Sequence, residues 1–166
     1  MHKGARYVID IECDSLTPKV IHVVVLKNID TNTYLEYTKD NAHLLSRVLD
    51  DASLVIGHNI IDFDLPVLSN LWSIAVHQAK VVDTLILSRL LRYDIDGGHS
   101  LHEWGTRLGH PKLEFSAFDT YTPEMLVYCR NDADLTEKLY RFLIARLQPM
   151  GTKPIEVEHK IAFICR

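Results

Sequence analysis

Four acidic residues in three separated stretches of the chain have the types and spacing that metal-dependent chemistry requires. Asp10 and Glu12 lie two residues apart in an apolar stretch typical of a buried strand, whereas Asp64 and Asp132 lie at the start and in the body of predicted helices. Carboxylates that converge from distant segments form a set of hard oxygen ligands, which suits Mg²⁺ or Mn²⁺ better than zinc. Such a set is typical of two-metal chemistry on phosphodiesters.

The spacing of Asp10 and Glu12 predicts that both side chains lie on one face of a strand, because successive side chains alternate between the two faces. Two buried carboxylates side by side repel each other and need a compensating cation. The alternative is an edge-strand pair that faces water, and this motif alone leaves both interpretations open.

The remaining candidates lie near helices. Asp62 and Asp64 begin a predicted helix, where either acid is also explained as an N-cap or first-turn residue that favours the helix dipole. That explanation fits Asp62 better than Asp64, because the apolar neighbours of Asp64 place it against the core. Tyr128 and Asp132 are four residues apart and share one helix face, where a phenol can orient a water molecule for attack.

The composition is that of an ordinary soluble protein of one domain, with 166 residues, 47% hydrophobic and 24% charged. No run approaches the roughly 18 apolar residues of a membrane helix, and the first residues lack a signal-peptide apolar stretch, so we expect a cytoplasmic protein with no membrane partner. The three cysteines, Cys13, Cys129 and Cys165, have no C-x-x-C spacing, which argues against a disulfide framework or a structural zinc site.

The formal net charge of −4 argues against a long basic groove for nucleic acid. Two divalent cations at the four acids would offset this charge, and a protein that holds only a few terminal nucleotides needs no such groove. Four basic residues are together reasonable candidates for phosphate contacts, although each alone is explained as a solvated surface charge: Arg89, Arg92, Arg107 and Lys112. His99 and His102 are interpreted as loop and helix-surface residues.

The periodicity of apolar residues predicts an α/β domain whose mixed β-sheet is flanked by helices, because a strand-rich start is followed by alternating helices and strands. Asp83, Ser100 and Thr122 are predicted helix N-caps, with Gly109 closing one helix. The predicted strands are 5–12, 20–26, 33–37, 54–57 and 81–82, and the predicted helices are about 41–50, 62–71, 83–91, 101–108, 123–147 and from 153 onwards.

The order of three motifs, Asp-x-Glu, His-Asn-x-x-x-x-Asp and Tyr-x-x-x-Asp, resembles the DEDD superfamily of 3′-5′ exonucleases, which have an RNase H-like (DnaQ-like) fold. The motifs fall at Asp10 and Glu12, Asn59 and Asp64, and Tyr128 and Asp132. Tyrosine in the last motif indicates the tyrosine subclass, since Val127 stands where the other subclass has histidine. Residues 82–90, 98–109 and 132–139 further resemble the proofreading domain of T7-like phage family A DNA polymerases.

The resemblance implies a division of the chain into two parts. Residues 1–150 would form the 3′-5′ exonuclease domain. Residues 151–166 end on an apolar run, which either docks back on that domain or begins a polymerase portion in a longer chain. We favour the second interpretation, which makes a polymerase domain a candidate partner.

The resemblance also implies an activity, that of a two-metal 3′-5′ exodeoxyribonuclease. It would hydrolyse the terminal phosphodiester at single-stranded or frayed DNA 3′ ends and release nucleoside 5′-monophosphates. Its role would be proofreading in DNA replication, in the host cytoplasm if the protein is encoded by a phage.

Roles follow residue by residue from the same resemblance. Two Mg²⁺ ions, with Mn²⁺ as a substitute, would be held by Asp10, Glu12, Asp64 and Asp132, while Tyr128 would orient the attacking water. Ile11, Leu16 and Asn59 would bind the terminal nucleotide. Cys13 departs from the family pattern, because a hydroxyl residue often stands there, and a contact at that position is expected to be weaker.

Two other functions remain open from the sequence. An RNA 3′-5′ exonuclease of the same fold would differ by a contact to the ribose 2′-hydroxyl, which the sequence does not show. A catalytically inactive nucleic-acid-binding module is disfavoured because all four acids and Tyr128 are present.

Overall fold

A five-stranded mixed sheet forms the centre of the protein, and the computed structural model describes residues 4–166. The sheet order is β3-β2-β1-β4-β5, with β1 antiparallel to β2 and parallel to β4. The predicted mixed α/β sheet is therefore confirmed, with β1 at its centre. The strands are β1 (Arg6–Cys13), β2 (Ile21–Asn28), β3 (Thr33–Tyr37), β4 (Leu54–Gly57) and β5 (Val81–Asp83).

Six α-helices within the described residues surround this sheet. None of those helices is both long enough and apolar enough to cross a membrane. Their bounds lie close to the predicted ones: α1 (Ala42–Asp51), α2 (Asp64–Trp72), α3 (Thr84–Leu91), α4 (Leu101–Leu108), α5 (Pro123–Leu147) and α6 (Lys153–Cys165).

Successive side chains of β1 point alternately into two layers of the core, one on each face of the sheet. Ile9 and Ile11 pack in a cluster with residues of α1 and α2, whereas Val8 packs with Met125 and Cys129 of α5. Asp10 and Glu12 share the parity of Val8, so both acids lie on the face of the sheet that α5 covers. The interpretation of this pair as water-facing edge residues is therefore wrong.

The predicted helix caps are largely confirmed. The side chains of Asp83, Ser100 and Thr122 accept hydrogen bonds from the backbone N–H groups of Leu85, Glu103 and Met125, and Gly109 ends α4 with a φ of 61°. The predicted start of α2 at Asp62 is wrong by two residues. Asn59 has a φ of 61°, and a turn through residues 60–63 precedes the first helical residue, Asp64.

Helix α6 packs against the rest of the domain through a buried histidine. His159 Nδ1 donates to the Ile155 carbonyl at 2.7 Å, and Nε2 accepts the backbone N–H of Asp83 at 2.8 Å. The second bond requires a lone pair on Nε2, so the ring is neutral with its proton on Nδ1. Phe163 packs on the cluster beneath α1 and α2. The assignment of residues 151–166 to the start of a polymerase portion stays a prediction.

Candidate active site

The predicted acidic residues converge on one small cavity of about 200 Å³. It lies where the end of β1, the start of α2 and the first turns of α5 meet. All five predicted catalytic residues line it. The lining residues are Asp10, Ile11, Glu12, His58, Phe63, Asp64, Leu101, Lys112, Tyr128 and Asp132.

Strand β1 supplies the first two acids. Glu12 is buried and Asp10 is partly buried, and the register of β1 with β2 shifts directly after Glu12. The Cys129 thiol lies against them and donates to Asp10 Oδ2 at 3.2 Å. One ligand atom from each of Asp10, Glu12 and Cys129 lies within 4.8 Å of the others, which is close enough for a shared ion.

The third acid, Asp64, is positioned by a loop that hydrogen bonds hold in place. Asp64 is the buried first residue of α2. The loop before it is held by Asp83, whose carboxylate accepts the N–H groups of Asn59 at 2.9 Å and Ile61 at 3.2 Å. Asp83 therefore caps α3 and also fixes the turn that delivers Asp64, a second role that its sequence position did not indicate.

The first turns of α5 supply the fourth acid and the tyrosine. Asp132 is buried, and Lys112 Nζ, from the irregular segment before α5, lies 2.5 Å from its Oδ2 atom. The Tyr128 ring packs against Phe115 and Phe118, with ring centres 5.4 and 6.1 Å apart. These contacts fix the phenol over the acids.

Burial and mutual repulsion raise the pKa values of these carboxyl groups. Burial, together with the Asp132 charge, raises the pKa of Asp10 to about 7. Burial, then the charges of Asp10 and Asp132, raises the pKa of Glu12 to about 10. Burial also raises the pKa of Asp64 well above its ordinary value. The metal-free cavity therefore retains protons at neutral pH, which a divalent cation would displace.

Lys112 brings a fixed positive charge into the cavity. Burial lowers the pKa of Lys112, but the adjacent Asp132 carboxylate more than reverses this effect and raises it. The burial of His58 and the charge of Lys112 lower the pKa of His58 to about 4, so this imidazole is neutral. Burial also raises the pKa of Asp132 above its ordinary value, and the Lys112 charge opposes that rise.

The residues fit a divalent-metal site. Asp132 Oδ1 is buried without a hydrogen-bond partner among residues 4–166, which leaves one carboxylate oxygen free for a ligand. Cys129 does not fit as a ligand, because burial raises the pKa of its thiol well above the ordinary value, and a protonated soft donor is poorly suited to Mg²⁺. Its part is to orient Asp10.

A second cavity of about 300 Å³ adjoins the acidic one and shares Ile11, Glu12 and Phe63 with it. Leu16 lines this cavity and is 90% exposed, and Phe118 lies on the same rim. Two of the three predicted nucleotide-binding residues, Ile11 and Leu16, are therefore brought to one apolar cleft. Asn59 does not line either cavity in the described structure, and its N–H is bonded to Asp83.

The sequence did not predict that Lys112 and Cys129 lie beside the acids of the cavity. Lys112 was included only among candidate phosphate contacts, and the irregular segment around it has no periodicity to place it. The position of Cys129 could have been predicted, because it lies one residue after Tyr128 on the helix face that packs on β1. His99 lies in the loop before α4, as predicted, and is half-buried there, with its ring bonded to Ser88 Oγ at 2.6 Å and to the Tyr93 carbonyl at 2.9 Å.

Comparison with known proteins defines the class. A family model described as 3′-5′ exonuclease matches residues 3–148. The protein therefore belongs to the 3′-5′ exonuclease family, and its five-stranded sheet with flanking helices is the predicted RNase H-like fold. No curated protein sequence was found that matches the chain.

Solved structures of similar fold include two of Brucella melitensis NrnC. NrnC with bound Mg²⁺ has 25% sequence identity and a TM-score of 0.77, over 98% of this chain and 84% of that one. NrnC bound to pGG has 24% identity and a TM-score of 0.75, over 98% of this chain and 83% of that one. A family B DNA polymerase from Pyrobaculum calidifontis has 16% identity and a TM-score of 0.50, over 86% of this chain and 24% of the polymerase.

These comparisons support the DEDD exonuclease superfamily and the use of a divalent metal. They do not confirm the finer placement beside T7-like family A phage polymerases, because the similar structures described above are of NrnC and of a family B polymerase. That placement, the phage origin and the role in DNA replication stay predictions from the sequence.

Replacing Lys112 with methionine is expected to tighten metal binding. The change removes a positive charge 2.5 Å from Asp132 and frees the Oδ2 atom, so the Kd for Mn²⁺ should fall about three- to tenfold, equivalent to about 1 kcal/mol. Calorimetric titration with Mn²⁺ measures this. Lys138→Met, at an exposed position on α5, is the matched control. A weaker affinity in Lys112→Met would show that the lysine assembles the site instead.

Proposed function

We propose that the protein is a divalent-metal-dependent 3′-5′ exonuclease that removes nucleoside 5′-monophosphates from the 3′ ends of short single strands, with RNA as the preferred substrate. The observation that carries the proposal is the convergence of Asp10, Glu12, Asp64 and Asp132, with Tyr128, on one buried cavity in a member of the 3′-5′ exonuclease family.

The acids would hold the metal, and the other residues would position the reacting groups. When bound, two divalent ions lower the pKa of a water molecule and stabilise the leaving 3′ oxygen. Asp10 and Glu12 enter from β1, Asp64 from α2 and Asp132 from α5, so the ligands are fixed by three separate elements. Tyr128, held by Phe115 and Phe118, would orient the attacking water, and the Cys129 thiol would keep Asp10 turned towards the metal.

The adjoining cleft would receive the 3′-terminal nucleotide. Its walls are Leu16, Phe63 and Phe118, which offer apolar and aromatic surface to a nucleobase. The Ile11 backbone and Glu12 lie at the junction of the two cavities, where the terminal 3′ hydroxyl would be placed. A cleft of about 300 Å³ holds one base but no duplex, so a paired end would have to melt first.

The preference for RNA is our proposal, and it is supported by the likeness to NrnC, which has been solved bound to pGG. Trimming of DNA 3′ ends for proofreading is the second candidate, and it rests on the motif resemblance to family A polymerases. RNA and DNA differ at the ribose 2′-hydroxyl, for which the cleft offers the polar side chains of Glu12, Asp14 and Ser15.

Parallel digestion of RNA and DNA strands of one sequence tests this proposal. Each strand carries a 5′ label and is incubated with Mg²⁺, with Mn²⁺ or with EDTA. We expect ladders that shorten from the 3′ end only with metal, and a higher kcat/KM on RNA. A higher value on DNA would favour proofreading. No cleavage of either strand would contradict the exonuclease proposal and favour the inactive binding module.

Tyr128→Phe is expected to lower kcat about 100-fold while KM changes little, because the variant keeps the ring but removes the hydroxyl that would orient the water. Steady-state kinetics on the labelled RNA strand measure both constants. Tyr121→Phe, at an exposed tyrosine before α5, is the control. A rise in KM with kcat unchanged would assign Tyr128 to substrate binding.

A further inference from the structure

Three arginines from three helices converge on a further cavity away from the acids. Arg92 follows α3, Arg107 lies on α4 and Arg146 lies in the last turn of α5. They line a cavity of about 430 Å³, which we call the arginine pocket. A concentration of positive charge at one place stands out in a protein whose formal net charge is −4.

Two aromatic rings lie beneath the arginines of this pocket, and Trp104 is only 3% exposed. Trp104 and Phe142 have ring centres 5.5 Å apart. The Arg107 guanidinium lies 5.1 Å from the centre of the Trp104 ring, and that of Arg146 lies 3.5 Å from the centre of the Phe142 ring. Stacked guanidinium groups on aromatic surface are the combination with which proteins bind the base and phosphate of a single-stranded nucleotide.

The positive charges in the arginine pocket are only partly compensated. Arg92 pairs with Asp94 at 3.3 Å at an exposed position, and Arg107 lies 3.7 Å from Glu103 and donates to the Asp96 carbonyl. Arg107 Nη1 is nevertheless buried without an acceptor in the part of the chain that the structure describes. A buried donor without a partner is costly, so an anion in the pocket would be stabilising.

Helix α4 connects the arginine pocket with the acidic cavity. Leu101, its first residue, lines the acidic cavity, and Arg107 lines the pocket about 9 Å further along the helix. Along α5 the separation from Asp132 to Arg146 is about 21 Å. Stacked nucleotides are about 3.4 Å apart, so a strand with its 3′ end at the acids would reach the pocket after about three to six nucleotides.

We propose that the arginine pocket binds an upstream nucleotide of the same single strand whose 3′ end lies in the acidic cavity. Its phosphate would contact Arg92, Arg107 and Arg146, and its base would stack on the outer face of the Arg146 guanidinium, whose other face lies on the Phe142 ring. This inference rests on the proposed function for the position of the 3′ end. A free nucleoside monophosphate has the same chemistry, and the experiment separates the two sources.

The test compares a dinucleotide with an eight-nucleotide RNA as substrates of the full chain. In the double variant Arg92→Gln with Arg146→Gln, kcat/KM for the longer strand should fall about tenfold, the loss of roughly one stacked and phosphate-bonded nucleotide. The dinucleotide should be cleaved as before, since it cannot reach the pocket. Lys39→Gln with Arg47→Gln changes the charge equally at exposed positions outside the pocket. Equal losses in both double variants, or an equal loss on the dinucleotide, would overturn the proposal.

Binding without cleavage separates this proposal from the proposed function. In EDTA, the Kd of a labelled eight-nucleotide RNA, followed by fluorescence anisotropy, should rise about tenfold in the pocket variant. Arg92→Gln alone, at an exposed position, repeats the test if the double variant melts earlier. A different result would overturn the assignment to the strand. The pocket variant would then lose the binding of adenosine 5′-monophosphate but keep the kcat/KM of the parent protein on the longer strand. Binding without any cleavage would contradict only the proposed function.

Discussion

Asp10→Asn combined with Glu12→Gln is expected to lower kcat by at least about 10³-fold and to raise the melting temperature in metal-free buffer. We expect the loss of activity because the pair would supply the metal ligands of β1. Metal stabilisation of the reacting oxygens contributes several kcal/mol to lowering the activation barrier, and about 4 kcal/mol corresponds to a 10³-fold change in rate. The gain in stability follows because burial and mutual repulsion raise the pKa values of both carboxyl groups. Neutral amides of the same shape avoid that repulsion.

Kinetics on labelled RNA and thermal unfolding in EDTA at pH 8 measure the two effects. Asp50→Asn with Glu114→Gln is the matched control, since both acids are exposed and lie outside the cavity. Its kcat and melting temperature should stay near those of the parent protein. A double variant at Asp10 and Glu12 that fails to fold would show that the pair is structural, and one that retains activity would remove these residues from the site.

Mg²⁺ is expected to raise the melting temperature, and to raise it more at pH 8 than at pH 6. A carboxyl group with a raised pKa binds more protons in the folded than in the unfolded state, so the metal-free protein loses stability as pH rises from about 4 through the Asp10 value of about 7. Mg²⁺ binds the deprotonated groups and offsets this loss. At 100 times its Kd it would add about 2.7 kcal/mol, or about 5–10 °C.

Thermal unfolding at pH 6, 7 and 8, with EDTA or with Mg²⁺, measures this linkage. The Asp10→Asn, Glu12→Gln variant serves as the control, because it lacks both β1 ligands and should show little response to Mg²⁺. A response that is independent of pH, or that persists in this variant, would place the metal elsewhere on the protein.

Much of the fold could be predicted because its periodicity is local. Alternation in β1 and β2 and the spacing of apolar residues in α5 are properties of short windows, and the caps at Asp83, Ser100 and Thr122 depend on neighbours two or three residues away. The four acids of the cavity could be selected because their motifs occur in a fixed order along the chain. Ile11 and Leu16 lie next to such a motif, which is why their position at the cleft was also predicted.

The parts that could not be predicted depend on contacts between distant segments. Lys112 reaches Asp132 from an irregular segment, and no pattern in residues 110–122 indicates where that segment runs. The start of α2 was placed two residues early, because the turn before it is held by Asp83 from another strand. The arginine pocket combines the ends of three helices, and only Arg92 and Arg107 among its cations were predicted to contact phosphate.

The hydrogen bond between His159 and Asp83 links helix α6 to the loop that positions Asp64. His159 accepts the buried N–H of Asp83, and the Asp83 carboxylate in turn holds the loop that delivers Asp64. A cut at residue 150, where the sequence suggests a boundary, would remove that acceptor together with the packing of Phe163. Helix α6 lies beyond the family match, which ends at residue 148, and it nevertheless contributes a contact on which the position of Asp64 depends.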